Sequence, residues 1–167
     1  MYKIGEYVVK NGSGVCRIDD ITHLDIRGID RNKLYYSLVP MNDENGKVYL
    51  SVDASEHQLR KIMSPEEAYA FIAKISEIQE ITITNDKLRE QKYKEAIKNI
   101  EPESLIRIIK TTYLRKKVRL EKGKKNTAAD EHYLALAEKL LFSELCLVLG
   151  KSKEEVQNLI VETINKK

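Results

Sequence analysis

Hydrophobic positions recur at every second place through the first 63 residues, and at every third or fourth place from residue 64 onward. In the first stretch Tyr2-Lys3-Ile4, Glu6-Tyr7-Val8-Val9 and Gly14-Val15-Cys16-Arg17-Ile18 read as strands, and Asn11-Gly12-Ser13-Gly14 is the turn between the last two. Leu34-Tyr35-Tyr36-Ser37-Leu38-Val39 is rich in aromatic and branched residues and stops at Pro40, where a strand loses its donor. After the turn cluster Asn42-Asp43-Glu44-Asn45-Gly46, the segment Lys47-Val48-Tyr49-Leu50-Ser51-Val52 resumes the extended pattern. Four or five short strands with no helical period among them predict a small, curled antiparallel barrel. Such a sheet has an edge strand that a partner can extend.

The second stretch is helical. Ser64-Pro65-Glu66-Glu67 is a capping box with proline at the first helical position, followed by Ala68, Phe71, Ile72, Ile75 and Ile78 at helical spacing. Asn85-Asp86 caps a second helix through Lys98, Glu101-Pro102-Glu103 opens a third, and Thr127-Ala128-Ala129-Asp130 opens a fourth that ends near Gly150. Ser152-Lys153-Glu154-Glu155 starts a fifth. The pattern therefore predicts an α+β chain: a β domain over residues 1–63, then an all-α domain of about five helices over residues 64–167, with no internal repeat and no low-complexity linker.

Composition narrows the class. A chain with 42% hydrophobic and 33% charged residues is globular, not disordered. No run of about 18 uncharged apolar residues occurs, and the N-terminus lacks an apolar signal region, so a cytoplasmic protein without a membrane span is expected. Cys16 and Cys146 sit in apolar patterns and read as buried, reduced thiols; His23, His57 and His132 show none of the spacings of a metal site. Gly12-Ser13-Gly14 lacks the following helix and lysine of a phosphate loop, and reads as a hairpin turn. A Cys16–histidine dyad has no local signature. No enzyme, cofactor or small-molecule substrate is expected.

Charge is the feature that composition does not explain. The chain is +3 overall, and residues 1–63 carry nine basic and nine acidic side chains. Residues 113–125, YLRKKVRLEKGKK, hold seven cations and the single acid Glu121. On the third helix Leu105, Ile109, Tyr113 and Leu120 are read as the core face. Arg107, Lys110, Arg115, Lys117, Arg119 and Lys122 fill most of the remaining circumference, and Lys124 and Lys125 carry the charge into the loop. A weaker cluster, with Arg89, Lys92 and Lys94, lies on the second helix beside Glu90 and Glu95. Cations along a rigid element suit phosphate contacts that are independent of sequence, and they equally suit a solvated face or an acidic protein surface.

In their order, several motifs resemble the CarD/CdnL family of bacterial transcription regulators, whose polymerase-interacting domain is shared with the transcription-repair coupling factor. They are Tyr2-Lys3-Ile4-Gly5-Glu6-Tyr7-Val8-Val9 with Gly14-Val15, Ile26-Arg27-Gly28, Leu34-Tyr35-Tyr36-Ser37-Leu38 and Val48-Tyr49-Leu50-Ser51-Val52-Asp53. Arg89-Glu90-Gln91-Lys92-Tyr93-Lys94-Glu95-Ala96 and Ile108-Ile109-Lys110-Thr111-Thr112-Tyr113-Leu114-Arg115 continue the likeness into the helices. The resemblance implies a Tudor-like (SH3-like) barrel that docks on the RNA polymerase β subunit, and a helical domain that touches promoter DNA and modulates the open complex. Carried over by position, Arg27, Val48, Tyr49, Leu50 and Ser51 are the polymerase contacts. Lys94, beside Tyr93, joins the basic residues named above as DNA contacts, in a chain expected to be monomeric. The sequence departs from the family twice. Lys10-Asn11-Gly12-Ser13-Gly14 replaces a Tyr-Pro and His-Gly pattern, and no tryptophan stands near Thr82, Ile83, Leu88 and Arg89, where members commonly insert one as a minor-groove wedge.

Overall fold

A computed structural model describes residues 1–98 and 100–166. The chain divides into two compact units, Met1–Ile62 and Met63–Lys167.

The first unit is a five-stranded antiparallel sheet of β1 (Tyr7–Lys10), β2 (Gly14–His23), β3 (Leu34–Pro40), β4 (Val48–Ser51) and β5 (Leu59–Lys61), in the order β4-β3-β2-β1-β5. The β1–β2 hairpin closes with Lys10 opposite Gly14, so its loop is Asn11-Gly12-Ser13, and Gly12 takes φ +80°, a conformation costly for any side chain. A register shift between Ile18 and Asp20 against β3 bulges β2 and bends the long strand. Alternation then sorts the faces. Val8, Cys16, Ile18, Tyr36, Leu38, Leu50 and Leu59 form one buried cluster, with Tyr2, Ile21, Val48, Val52 and Ala54 packed against it. Each large apolar side chain fully buried there contributes about 1.5–3 kcal/mol.

Three expectations change. No ladder joins β4 to β5, so the sheet stays open with both strands as edges and is not a closed barrel. Tyr2-Lys3-Ile4 is not a strand; the Tyr2 backbone N–H instead donates to the Tyr36 hydroxyl at 2.9 Å, with the two rings edge to face. Between β4 and β5 the chain makes a 3-10 turn (Val52–Ala54) and the four-residue helix α1 (Ser55–Gln58), too short to show a period in the sequence.

The second unit contains α2 (Pro65–Lys74), α3 (Arg89–Ile97), α4 (Pro102–Glu121), α5 (Ala128–Leu149) and α6 (Lys153–Asn165), with 3-10 turns at Ile75–Glu77 and Asp86–Leu88. Among the described residues no helix is long and apolar enough to cross a membrane. Capping sets the helix starts. Ser64 and Glu67 form the reciprocal box that begins α2, the Thr127 hydroxyl accepts from the Asp130 backbone N–H, and the Ser152 hydroxyl accepts from that of Glu155. Gly150 ends α5 in the left-handed region at φ +61°. The core is built from Ala68 and Ile72 of α2, Tyr93 of α3, Leu105 and Ile108 of α4, Leu141 and Leu145 of α5, and Val156 of α6.

The contact face of α4 differs from the expected one. Leu105 is buried, but Tyr113 and Leu120 are 54% and 57% exposed; the buried line runs through Leu105, Ile108 and Thr112 and continues to the half-buried Arg115. Four-residue steps drift about 40° per step around a helix of 3.6 residues per turn, whereas alternating steps of three and four stay centred. Thr112 tolerates burial because its hydroxyl donates back to the Ile108 carbonyl at 2.9 Å.

Gly150→Ala should destabilise the helical unit by about 1 kcal/mol, because a Cβ there meets open space and only the left-handed backbone is penalised. Urea unfolding followed by circular dichroism checks this.

Candidate functional sites

The sheet edge β4 pairs only with β3, with Ser37 opposite Tyr49 and Tyr35 opposite Ser51. Its free side therefore presents backbone donors and acceptors to solvent. Leu50 faces the core and Val48 packs against it, while Tyr49 is exposed on the opposite face. Two buried hydroxyls on the β3–β4 pair, Ser37 Oγ and Ser51 Oγ, have no hydrogen-bond partner. Arg27 is exposed in the loop between β2 and β3. The end of that loop lies near the exit from β4, where Lys33 Nζ stands 3.8 Å from Asp53 Oδ2. Cys16 is buried on β2 and burial pushes its thiol up to about 11, so it stays protonated at neutral pH.

In the helical unit the predicted cations fall into three groups. The first is internal. Asp130, fully buried at the start of α5, accepts from the Tyr93 hydroxyl at 2.8 Å and from Arg115 Nε at 3.1 Å. Arg89 Nε lies 3.1 Å from Asp130 Oδ1, close enough for an ion pair but off the line of a hydrogen bond. Asp86, on the 3-10 turn before α3, completes the set, with Oδ1 3.2 Å from Arg115 Nη1 and 3.8 Å from Arg89 Nη1. The Arg89 and Arg115 side chains are only 14% and 21% exposed. Burial alone would raise the Asp130 pKa, but the hydrogen bonds from Tyr93, Arg115 and Thr127 and the charge of Arg89 outweigh it, and the carboxyl sits below its ordinary 3.8. Tyr93 moves up, through burial first and then through its bond to Asp130.

A second group fastens the segment between α2 and α3. Lys110 Nζ donates to the carbonyls of Ile75 and Ile78, the latter at 2.7 Å, and burial lowers its pKa. Beside it the Thr111 hydroxyl accepts from the Ile81 backbone N–H at 2.8 Å, and Lys92 Nζ donates to the Thr82 carbonyl at 2.7 Å. Lys94 and Arg107 make helical pairs with Glu90 and Glu103 at 3.7 and 3.3 Å.

The third group is the open one. Lys117, Lys122, Lys124 and Lys125 are exposed, as is Lys116, which the helical wheel of the sequence passed over. Arg119 is half-buried, its Nε donating to the Lys125 carbonyl at 2.8 Å. The exposed apolar side chains Tyr113, Leu114, Val118 and Leu120 stand among these cations. The sequence did not single out Asp86 and Asp130 as partners for the arginines. Asp130 reads there as the ordinary acid of a helix start, and nothing local marks it as buried.

A small antiparallel sheet with a free edge has the geometry that β-augmentation uses. Residues 2–63, nearly the whole of this unit, match the family model of the CarD-like/TRCF RID domain. The RID domain is the RNA polymerase-interacting domain of those proteins, and the similarity to it is confined to the first unit. The helical unit lies outside the matched residues, and no curated protein matches the chain.

Because the Asp130 carboxyl is depressed in the folded state, its stabilisation is complete above the unfolded value near 3.8 and is lost as pH falls through the lower folded value. Asp130→Asn should cost about 3–5 kcal/mol at neutral pH, since it leaves two arginines partly buried against a neutral group. The gap to the unmodified chain should narrow as pH falls through the folded value. Urea titrations at a series of pH values measure both effects.

Proposed function

We propose that this chain is a non-enzymatic, cytoplasmic transcription regulator that docks on the β subunit of RNA polymerase and contacts promoter DNA through phosphates. The observation that carries the reading is a RID-family sheet with an unpaired edge strand at Val48–Ser51. An incoming strand would add to β4 through main-chain hydrogen bonds, with Tyr49 and Arg27 supplying side-chain contacts beside it. The five-strand order supports a Tudor-like domain whose barrel is left unclosed.

In the helical unit the DNA-facing set narrows to Lys117, Arg119, Lys122, Lys124 and Lys125, with Lys116 added. Arg89, Lys92, Lys110 and Arg115 serve first to hold the fold. Such contacts are sequence-independent and individually weak, and they become effective by tethering: a polymerase-bound domain raises the local concentration of its neighbour at the promoter to about the millimolar range. Exposed Leu88 is an apolar side chain available near the place where related chains insert tryptophan, and it gives a smaller wedge with a correspondingly modest effect on the open complex. The chain acts as a monomer. A second reading, in which the same helix meets an acidic protein surface, draws support from Leu114, Val118 and Leu120 among the cations.

Two measurements separate these readings. The full chain should bind purified polymerase from its source organism, and Tyr49→Glu should weaken that binding at least about tenfold without lowering thermal stability. Failure of the unmodified chain to bind polymerase would overturn the docking assignment. Changing Lys117, Lys122 and Lys124 together to Glu should abolish promoter crosslinking in the polymerase complex. Unchanged crosslinking would favour the adaptor.

A further inference from the structure

An open groove of about 330 Å³ lies along the distal half of α4 and the start of the following loop. Leu114 and Val118 form its apolar floor, and Arg119, Lys122 and Lys124 stand at its rim. Among the residues that line it Asp86 is the sole acid. Its carboxylate stands 3.2 Å from Arg115 Nη1 and 3.8 Å from Arg89 Nη1.

The two acids that bind these arginines are not equivalent. Asp130 is fully buried and holds the inner Nε edges of both guanidinium groups. The Asp86 side chain is 75% exposed and meets their Nη1 atoms, and of the two arginines Arg115 lines the groove. A water-exposed carboxylate on a cation is readily exchanged for another anion. A phosphodiester oxygen in its place would meet the same planar donors, and the lysines at the rim would add to the attraction. The turn that carries Asp86 does not depend on that side chain. The Leu88 backbone N–H donates to the Asn85 carbonyl, and the Lys87 backbone N–H donates to Asn85 Oδ1, each at 3.0 Å.

We propose that this groove is a seat for one strand of a nucleic-acid sugar–phosphate backbone, occupied in the free protein by the carboxylate of Asp86, which an incoming phosphate displaces. The apolar floor takes the sugar edge and the rim cations flank the phosphate. Asp86 thus masks Arg115, and lowers the affinity of the free chain for DNA. This inference rests on the DNA-contacting reading above.

The test uses the full chain and a short fluorescent duplex DNA, with anisotropy measured at several salt concentrations. Asp86→Asn should bind about threefold to tenfold more tightly than the unmodified chain, with a salt dependence steeper by about one phosphate contact. Asp86→Ser should do the same, and serves in place of Asp86→Asn if asparagine disturbs the turn. Glu154→Gln makes the same charge change on α6, outside the groove, and should gain less than about twofold. Adding Lys122→Ala and Lys124→Ala to Asp86→Asn should remove the gain. If the unmodified chain binds DNA and neither Asp86 variant exceeds Glu154→Gln, the masked seat is wrong and the DNA reading stands. If no variant shows salt-dependent binding at low salt, the DNA reading fails and the seat fails with it.

Discussion

A carboxylate sealed from water, Asp130, fixes the arrangement of the helical unit. Removing such a charge from solvent costs several kcal/mol unless every oxygen is met by a donor or a cation. Here the compensation comes from Tyr93 and Arg89 on α3, Arg115 on α4 and the capping Thr127 ahead of α5. Three helices can therefore approach at only one rotation and one offset, because a turn of slippage would strand a buried charge. Apolar packing through Ile108, Leu141 and Leu145 supplies most of the stabilisation and little of the specificity, since such side chains accept many registers.

The same constraint divides the positive charge. Arg89 and Arg115 neutralise Asp130 and Asp86, Lys110 and Lys92 are spent on backbone carbonyls, and Lys116, Lys117, Lys122, Lys124 and Lys125 stand exposed at the end of α4 and in its loop. A count of cations thus overstates the surface field, and the surplus is concentrated where α4 has passed the level of Asp130. Among these cations Leu114 and Val118 also stand exposed.

Much of the fold was legible in local chemistry. Ser64-Pro65-Glu66-Glu67, Thr127, Gly150 and Ser152 announce helix ends because capping bonds are made within a few residues of one another. Strands β1 to β4 were legible from alternation, whereas the three-residue β5 was not, and Tyr2-Lys3-Ile4 was misread as a strand. Closure was hidden because it depends on whether β4 and β5 meet. The face of α4 was misread past Ile109. Apolar periodicity assumes that the core side is greasy, and here Thr112 and Arg115 occupy it because α5 offers Asp130 at that level. The candidate cations were legible as a cluster, but their division into internal and open groups required knowing which acids they meet.

A short open edge and a partly masked basic surface address the same physical problem. The edge strands β4 and β5 span four and three residues, lengths that limit unspecific strand pairing while still allowing a matched partner to add. Unscreened cations would likewise hold the protein on any duplex, since phosphate attraction carries no sequence information and competing sites vastly outnumber promoters. The proposed role of Asp86 is to lower that background by competing at fixed, intramolecular concentration. Under the proposed function its effect is overcome beside a polymerase that anchors the first unit, where phosphate is supplied at high local concentration. Under that same reading, location on DNA follows from where the polymerase stands, and the helical unit needs no reader of bases.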